Sequence, residues 1–254
     1  MTKSQRYKGG YTPFGVEFSR NTRWEFASVA NRPQRKCPRP ERAFALCDFI
    51  AERAYARVEF RSDGEQIRPS MRVLVTGSAG HLGEAMVRTL KDLKHEVVGL
   101  DILDSPFTTQ VGSITDRSCV RRCMTGVQVV FQAATLHKPH VVTHSRQDFV
   151  DTNITGTLNL LEESVAAGVE SSVLTSTTSV FGDALVPPVG APAAWVTEEV
   201  TPVPKNIYGV TKAAAEDLCQ LFHRSQGLAC IVLRTSRFFP EEDDNKRVRE
   251  AICD

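Results

Sequence analysis

Two segments of this chain carry side chains whose types and spacing could move a proton at a substrate oxygen. Asn206-Ile207-Tyr208-Gly209-Val210-Thr211-Lys212 sets a phenol and an ammonium four residues apart, on one face of a helix. A phenol is a poor base near neutrality, because its unperturbed pKa is about 10. A nearby ammonium, or the positive charge of an oxidised nicotinamide, favours the phenolate. Tyr208 could then take the proton of an alcohol while the carbon gives hydride to a cofactor. Lys212 would also hydrogen-bond the nicotinamide ribose. The second segment, Thr175-Ser176-Thr177-Thr178-Ser179-Val180-Phe181-Gly182, ends a strand on hydroxyls, and Thr177 would bind and orient the same substrate oxygen. Taken singly, a Tyr-x-x-x-Lys pair also fits a surface helix turn, and strand ends often carry hydroxyls.

What such a pair needs upstream is a cofactor cradle, and Met71-Arg72-Val73-Leu74-Val75-Thr76-Gly77-Ser78-Ala79-Gly80-His81-Leu82-Gly83 has the form of one. A short apolar strand runs into three glycines spaced three apart, and a helical pattern opens behind them. Gly77 allows the tight turn, Gly80 lets backbone approach a pyrophosphate, and Gly83 lets helix and strand pack closely. Free N–H groups at the helix start face the anion, so Gly77, Ala79, Gly80, His81, Leu82 and Gly83 are the expected contacts. Asp101 ends the next strand, 18 residues beyond Gly83, where a carboxylate grips the adenosine ribose. No arginine follows closely to take a 2′-phosphate, which favours NAD over NADP.

The elements that position these residues alternate from Met71 onward. Strands are expected at Val73–Thr76, Glu96–Asp101, Val127–Ala133, Ser172–Ser176 and Leu228–Leu233. Helices are expected at Leu82–Leu93, Asp116–Met124, Asp148–Ala167 (Ile154, Leu158, Leu161 and Val165 on one face) and Tyr208–Ser225 (Ala213, Ala214, Leu218, Leu221 and Phe222 on one face). Apolar strands separated by amphipathic helices imply an α/β fold with a doubly wound parallel sheet of the Rossmann type.

Composition narrows the classes. The chain has 254 residues, 41% apolar, enough for one large α/β domain or a domain plus a tail. No apolar run is long enough to cross a bilayer, and no secretory signal opens the chain, which predicts a cytoplasmic protein. Residues 1–70 hold 14 basic against 8 acidic residues, and residues 71–254 hold 17 against 22. The mildly acidic remainder is a poor binder of nucleic acid. Seven cysteines show no metal spacing and read as reduced helix and strand residues. His137, His140 and His144 follow the fourth strand at a spacing that could suggest a metal, but the expectation is none.

Residues 71–240 resemble the extended short-chain dehydrogenase/reductase family, the NAD-dependent epimerase/dehydratase group. The resemblance lies in Thr76-Gly77-x-x-Gly80-x-x-Gly83, Phe131-Gln132-Ala133-Ala134, Asn153-x-x-Gly156-Thr157-x-Asn159-Leu160-Leu161-Glu162, Val180-Phe181-Gly182 and Tyr208-Gly209-x-Thr211-Lys212. It implies NAD in a Rossmann domain, Tyr208 as acid/base, Lys212 as its helper and Thr177 as the orienting hydroxyl. Ile114, Ala133 and Ala134 would touch the cofactor, and Asn153 would brace the backbone beside it. Usual substrates are nucleotide-activated sugars, and pairing through two helices, here Asp148–Ala167 and Tyr208–Ser225, would give a homodimer. Two departures stand out. Ser113-Ile114 replaces an Asp-Ile pair, weakening an adenine contact. Thr177-Thr178-Ser179 replaces the Thr-Asp-Glu of sugar dehydratases, leaving epimerisation or simple oxidation and reduction.

Residues 1–70 read as a basic, poorly ordered extension to the domain at 71–254. A transit peptide and sequence upstream of a start at Met71 are the other readings, and a helix could form over Glu41–Glu59. The Pro-rich stretch Val186–Pro204 reads as a loop over the site, either a lid or a passive connection. The family's C-terminal substrate domain is mostly missing from this chain. Three functions follow as expectations: an epimerase or oxidoreductase of a nucleotide sugar, a reductase of a smaller carbonyl compound, or a truncated, non-catalytic NAD-binding module.

Overall fold

The computed structural model describes residues 70–197 and 200–236, with three two-residue strands before them at Trp24–Glu25, Glu59–Phe60 and Gln66–Ile67. Apart from Glu59, the helix expected at Glu41–Glu59 lies outside the described residues, as does most of the basic segment.

Along the chain come β1 (Arg72–Thr76), α1 (His81–Asp92), β2 (Glu96–Asp101), β3 (Gln110–Val111), α2 (Arg117–Cys123), β4 (Val129–Gln132), α3 (Arg146–Val150), α4 (Gly156–Ala167), β5 (Ser171–Thr177), α5 (Ile207–Gln226) and β6 (Ala229–Thr235). The strands lie side by side in the order β3-β2-β1-β4-β5-β6, and every neighbouring pair is parallel. Trp24–Glu25 adds a parallel edge beyond β6. Winding out from β1 in one direction and from β4 in the other makes the boundary between β1 and β4 the switch point, the place where such sheets open a crevice at their carboxyl ends.

Apart from the short edge strand β3, the strands are largely buried on both faces, and alternate residues serve different layers. Val73, Val75, Val129, Phe131 and Val173 pack under α1 with Met86, Val87 and Leu90. Leu74, Val130, Leu174 and Val232 point the other way, onto Val120 of α2, Leu160 and Leu161 of α4, and Ala215 and Cys219 of α5.

Three local details differ from the sequence-based expectation. The two-residue β3 is too short to show an alternating pattern. The helix expected over Asp148–Ala167 is interrupted by a π-helical turn at Asp151–Thr155 that separates α3 from α4. The face of α5 is also rotated. Its buried residues are Tyr208, Gly209, Thr211, Lys212, Ala215, Glu216 and Cys219, whereas Leu221 is 48% exposed and Leu218 and Phe222 are only partly covered. Polar side chains fill the inner face because they find partners there, and the apolar stripe is displaced toward the surface.

Candidate active site

The first wall of the crevice is made of backbone. Gly77 has φ +73°, and a Cβ there would sit 2.7 Å from the Ala134 nitrogen and 2.9 Å from the Ala133 carbonyl carbon. The turn after β1 therefore lies directly against the end of β4, and Thr76 Oγ1 accepts from the Ala134 N–H at 3.2 Å. A Cβ on Gly83 would meet the Gly77 carbonyl oxygen at 1.9 Å, so the first turn of α1 can approach the loop only without a side chain. Gly80 is the N-cap of α1, and no side chain caps the helix. The first-turn N–H groups of His81, Leu82 and Gly83 have no intrahelical carbonyl and open toward the loop, as an anion-binding helix start requires.

Asp101 closes this wall. Its Oδ2 accepts from the Ala79 N–H at 2.9 Å and its Oδ1 from the Leu103 N–H at 3.0 Å, which holds the carboxylate at the rim of the glycine turn. A glycine turn a side chain would fill, an uncapped helix start and a carboxylate fixed beside them suit a pyrophosphate with its adjoining ribose.

Ile114 is placed differently from the other expected contacts. Its side chain is buried, a Cβ on Gly156 would meet its Cδ1 at 2.5 Å, and its carbonyl accepts from Asn159 Nδ2 at 3.0 Å. The side chain serves the core. Asn153 sits where a brace of the backbone would have to sit. The π-turn aims it inward at 2% exposure. Its Oδ1 accepts from Thr135 Oγ1 and the Leu136 N–H, each at 2.9 Å, and its Nδ2 donates to the Leu136 carbonyl at 2.9 Å and to Thr211 Oγ1 at 3.0 Å. An amide that uses both donors and both lone pairs has nothing left for a cofactor. Asn153 ties the backbone after β4 to α5, one residue from Lys212.

The second wall is made of side chains. Asn206 caps α5, its side chain accepting from the Gly209 N–H at 3.0 Å, so that Tyr208 falls in the first helical turn. Tyr208 and Lys212 are 8% and 3% exposed. Thr177 ends β5, its Oγ1 accepting from the Ser179 N–H at 3.1 Å, and its hydroxyl lies beside the Tyr208 phenol. Burial pushes the phenol's pKa up, and the Thr177 contact pulls against it. Burial, not the Lys212 ammonium, sets the direction of the phenol's shift. Burial also brings Lys212 down to about 8, opposed by Glu216 and Cys219 one and two turns along α5.

Sequence reasoning missed a third group. Glu216, 2% exposed, accepts from the Arg234 guanidinium in a forked pair, Nε to Oε2 at 3.0 Å and Nη2 to Oε2 at 2.6 Å, with Nε also 3.1 Å from Oε1. Ser176 Oγ donates to the same carboxylate. The Lys212-x-x-x-Glu216 spacing was the available signal.

The histidines form an edge-to-face row around the single-turn helix Lys138–Val142, with ring centroids 4.3 and 5.1 Å apart. Among the described residues no group of three or more His, Cys, Asp or Glu side chains could hold a metal ion. The loop over 186–204 is pinned at its base by the Gly182–Val203 bridge, the Asp183 N–H to Val203 carbonyl bond at 2.9 Å and a Lys205–Asp183 ion pair at 3.0 Å, while Trp195 stands 84% exposed. Among the described residues no helix is long and apolar enough to cross a membrane.

The fold and crevice define a Rossmann-type dinucleotide domain with a Thr, Tyr and Lys set at its carboxyl edge. The chain belongs to the NAD dependent epimerase/dehydratase family, which it matches over residues 73–253. It is 31% identical over 167 residues to a UDP-glucose 4-epimerase of Erwinia amylovora, covering 58% of this chain and 47% of that protein. It is 30% identical over 185 residues to a 3-beta-hydroxysteroid dehydrogenase of Mycolicibacterium neoaurum, covering 68% and 49%. Among solved structures it resembles a Thermus thermophilus UDP-glucose 4-epimerase in complex with NAD, with a TM-score of 0.56 and 30% identity over 65% of this chain and 54% of that one. The chain spans about half the length of the curated relatives it matches.

Proposed function

We propose that this chain binds NAD in the crevice between β1 and β4 and that Tyr208, Lys212 and Thr177 serve oxidation and reduction at a carbinol carbon of a nucleotide sugar. The observation that carries the reading is the juxtaposition of Thr177 and Tyr208 at the end of β5, linked to the glycine wall through Ala134, Leu136, Asn153 and Thr211. The residues fit the cofactor: Gly77, Ala79, Gly80 and the α1 N-terminus for the pyrophosphate, Asp101 for the adenosine ribose, and Ala133 and Ala134 for the floor. Bound NAD supplies a hydride acceptor and, once reduced, a donor.

The chain's own residues handle the proton. Thr177 Oγ1 orients the substrate oxygen, and Tyr208 takes the proton from it or returns it. The phenol's upward shift means that a positive charge must arrive nearby before it can act as a base. Lys212 supplies an ammonium from the same helix face. Thr178 and Ser179 bring no carboxylate to the strand end, so the reading is epimerisation or simple oxidation rather than dehydration. The 3-beta-hydroxysteroid dehydrogenase relative favours a second reading, a dehydrogenase of a smaller alcohol or ketone. The half-covered stripe on α4 and α5, with Val210 49% and Leu221 48% exposed, supports pairing of two copies, and sedimentation would show it.

The test is to add NAD to the purified protein and offer a panel of UDP-sugars and secondary alcohols, following NADH absorbance and sugar epimers. NAD binding with turnover lost in Tyr208→Phe is the expected result. Failure to bind NAD, or binding without turnover across the panel, overturns the reading.

A further inference from the structure

The proton-handling face of α5 does not end at Lys212. Tyr208, Lys212 and Glu216 recur at four-residue intervals, so the three side chains stand one above another on the buried side of one helix. Nothing in the proposed chemistry uses a carboxylate at Glu216, yet it is buried to 2% and receives three donors from two strands. A buried carboxylate is costly unless it is paired and hydrogen-bonded. Here the partner, Arg234, is itself only 8% exposed and comes from β6, and Ser176 comes from β5.

The placement of those donors matters. Ser176 is the residue before Thr177. In the sheet, Ser176 is paired with Arg234 and Thr177 with Thr235, and Thr235 Oγ1 donates to the Ser176 carbonyl at 2.9 Å. The Arg234 guanidinium carbon lies 4.8 Å from the centroid of Phe181, which is fully buried in the turn that follows Thr177. One carboxylate thus fastens the helix carrying Tyr208 and Lys212 to the strand end and turn carrying Thr177.

Resting on the function proposed above, we propose that Glu216, clamped by Arg234 and Ser176, is a positioning residue: it fixes the Tyr208–Lys212 face of α5 against Thr177 and sets a carboxylate one helical turn from Lys212. The charged and titratable groups around Lys212 are Tyr208, Glu216 and Cys219 on α5, and Arg234 and Cys230 on β6, while the π-turn presents the neutral amide of Asn153. Burial acts against the ammonium and Glu216 acts for it. Arg234 holds Glu216 in place, and Cys219 lies beside Cys230.

The experiment follows the side-chain carbon resonances of 13C-labelled lysine across pH 6–11 in the full chain, with Lys212→Arg assigning the signal. Glu216→Gln should lower the Lys212 midpoint by about one pH unit, and the pH at which NAD binding weakens should move down with it. If that variant does not fold, the double variant Glu216→Gln/Arg234→Met, which leaves no unpaired guanidinium, should show a smaller shift in the same downward direction. Arg234→Lys keeps both charges but loses the fork, and should lower the melting temperature while leaving the Lys212 midpoint in place. A merely structural bridge would lower the melting temperature in all three variants and move the midpoint in none, which would overturn the proposal. The two readings fail separately. An unmoved Lys212 midpoint in a variant that still binds NAD rejects the positioning role alone. A shifted midpoint in a chain that binds no NAD upholds the role of Glu216 and rejects the cofactor reading.

Discussion

At Gly77 the crevice is walled by main chain: a left-handed turn pressed against Ala133 and Ala134, with a helix start brought in by Gly83. Across the switch point, at Lys212, it is walled by side chains: Thr177 on Tyr208, Asn153 on Thr211, and Glu216 on Arg234 and Ser176. The first wall works by leaving atoms out, so its demands fall on residue type at fixed spacing. The second works by satisfying buried polar groups, and its demands fall on pairs far apart in sequence. Asn153 and Thr211 are 58 residues apart, and Ser176 and Glu216 are 40 apart. A backbone wall tolerates no added atom, whereas a side-chain wall tolerates no missing partner.

If the division is real, the largest separation of effects belongs to Tyr208→Phe. The phenol oxygen is the atom proposed to move the proton, and its ring packs the same space as phenylalanine. Turnover should fall roughly 10²- to 10⁴-fold, with NAD affinity and melting temperature near those of the parent. A comparable loss of NAD affinity would show that the side-chain wall also holds the cofactor, and would erase the contrast. Single-turnover absorbance and calorimetric NAD titration read the two quantities independently.

Gly83→Ala is the counterpart on the other wall. Its Cβ would lie 1.9 Å from the Gly77 carbonyl oxygen, a main-chain atom that cannot swing aside, so α1 must shift. The expected cost is about 1–3 kcal/mol of stability, read as a lower urea midpoint, with NAD affinity lost along with the helix position. A variant that keeps NAD affinity would show that the glycine spacing serves helix packing alone.

Asn153→Ala sits between the walls and removes four hydrogen bonds at once. Leaving the Leu136 N–H without its acceptor should cost about 1–3 kcal/mol. Because Asn153 touches both the backbone after β4 and the helix of Lys212, KM for NAD and kcat should both worsen, unlike the one-sided effects of the other two substitutions.

The same contrast explains what could be read from the sequence. The glycine turn, Asp101 and the alternation of β1, β2, β4, β5 and β6 with their helices were legible because local spacing and strand burial write themselves into residue order. Tyr208, Lys212 and Thr177 were legible as an ordered set. The face of α5 was not, since Leu218 and Phe222 reach only the margin of the core and Leu221 faces outward, and the polar inner face is paid for by partners on β5 and β6 that no local window contains. Ile114 reads as a ligand contact from its neighbours, but Gly156 opposite it makes room for its side chain in the core. The π-turn left no signal, because one extra residue in a helical repeat is invisible in an apolar pattern already broken by Asn153 and Thr155.

A smaller effect comes from a polar tie outside both walls. Glu163 of α4, its side chain 3% exposed, accepts from Arg121 Nε at 2.9 Å and Nη2 at 3.0 Å and from Arg117 Nε at 2.6 Å. The hydrogen bonds from Arg121 and Arg117 hold its carboxyl down at about 2, against the upward push of burial, from an ordinary 4.5. A folded-state value below the unfolded one means that the tie stabilises fully above pH 4.5 and is lost as the pH falls from there toward 2. Both arginines are half or more exposed, at 50% and 66%, so solvent screens the pair and the effect ranks below those of the substitutions above. Urea midpoints measured from pH 7 to pH 3 should fall less steeply in Glu163→Gln than in the parent. Because α4 continues from the π-turn that aims Asn153, the sharper question is whether NAD affinity follows. If acid loosens α2 from α4 while NAD affinity holds, the brace at Asn153 is anchored by its own four hydrogen bonds; if affinity falls in step, the side-chain wall extends down α4 to Glu163.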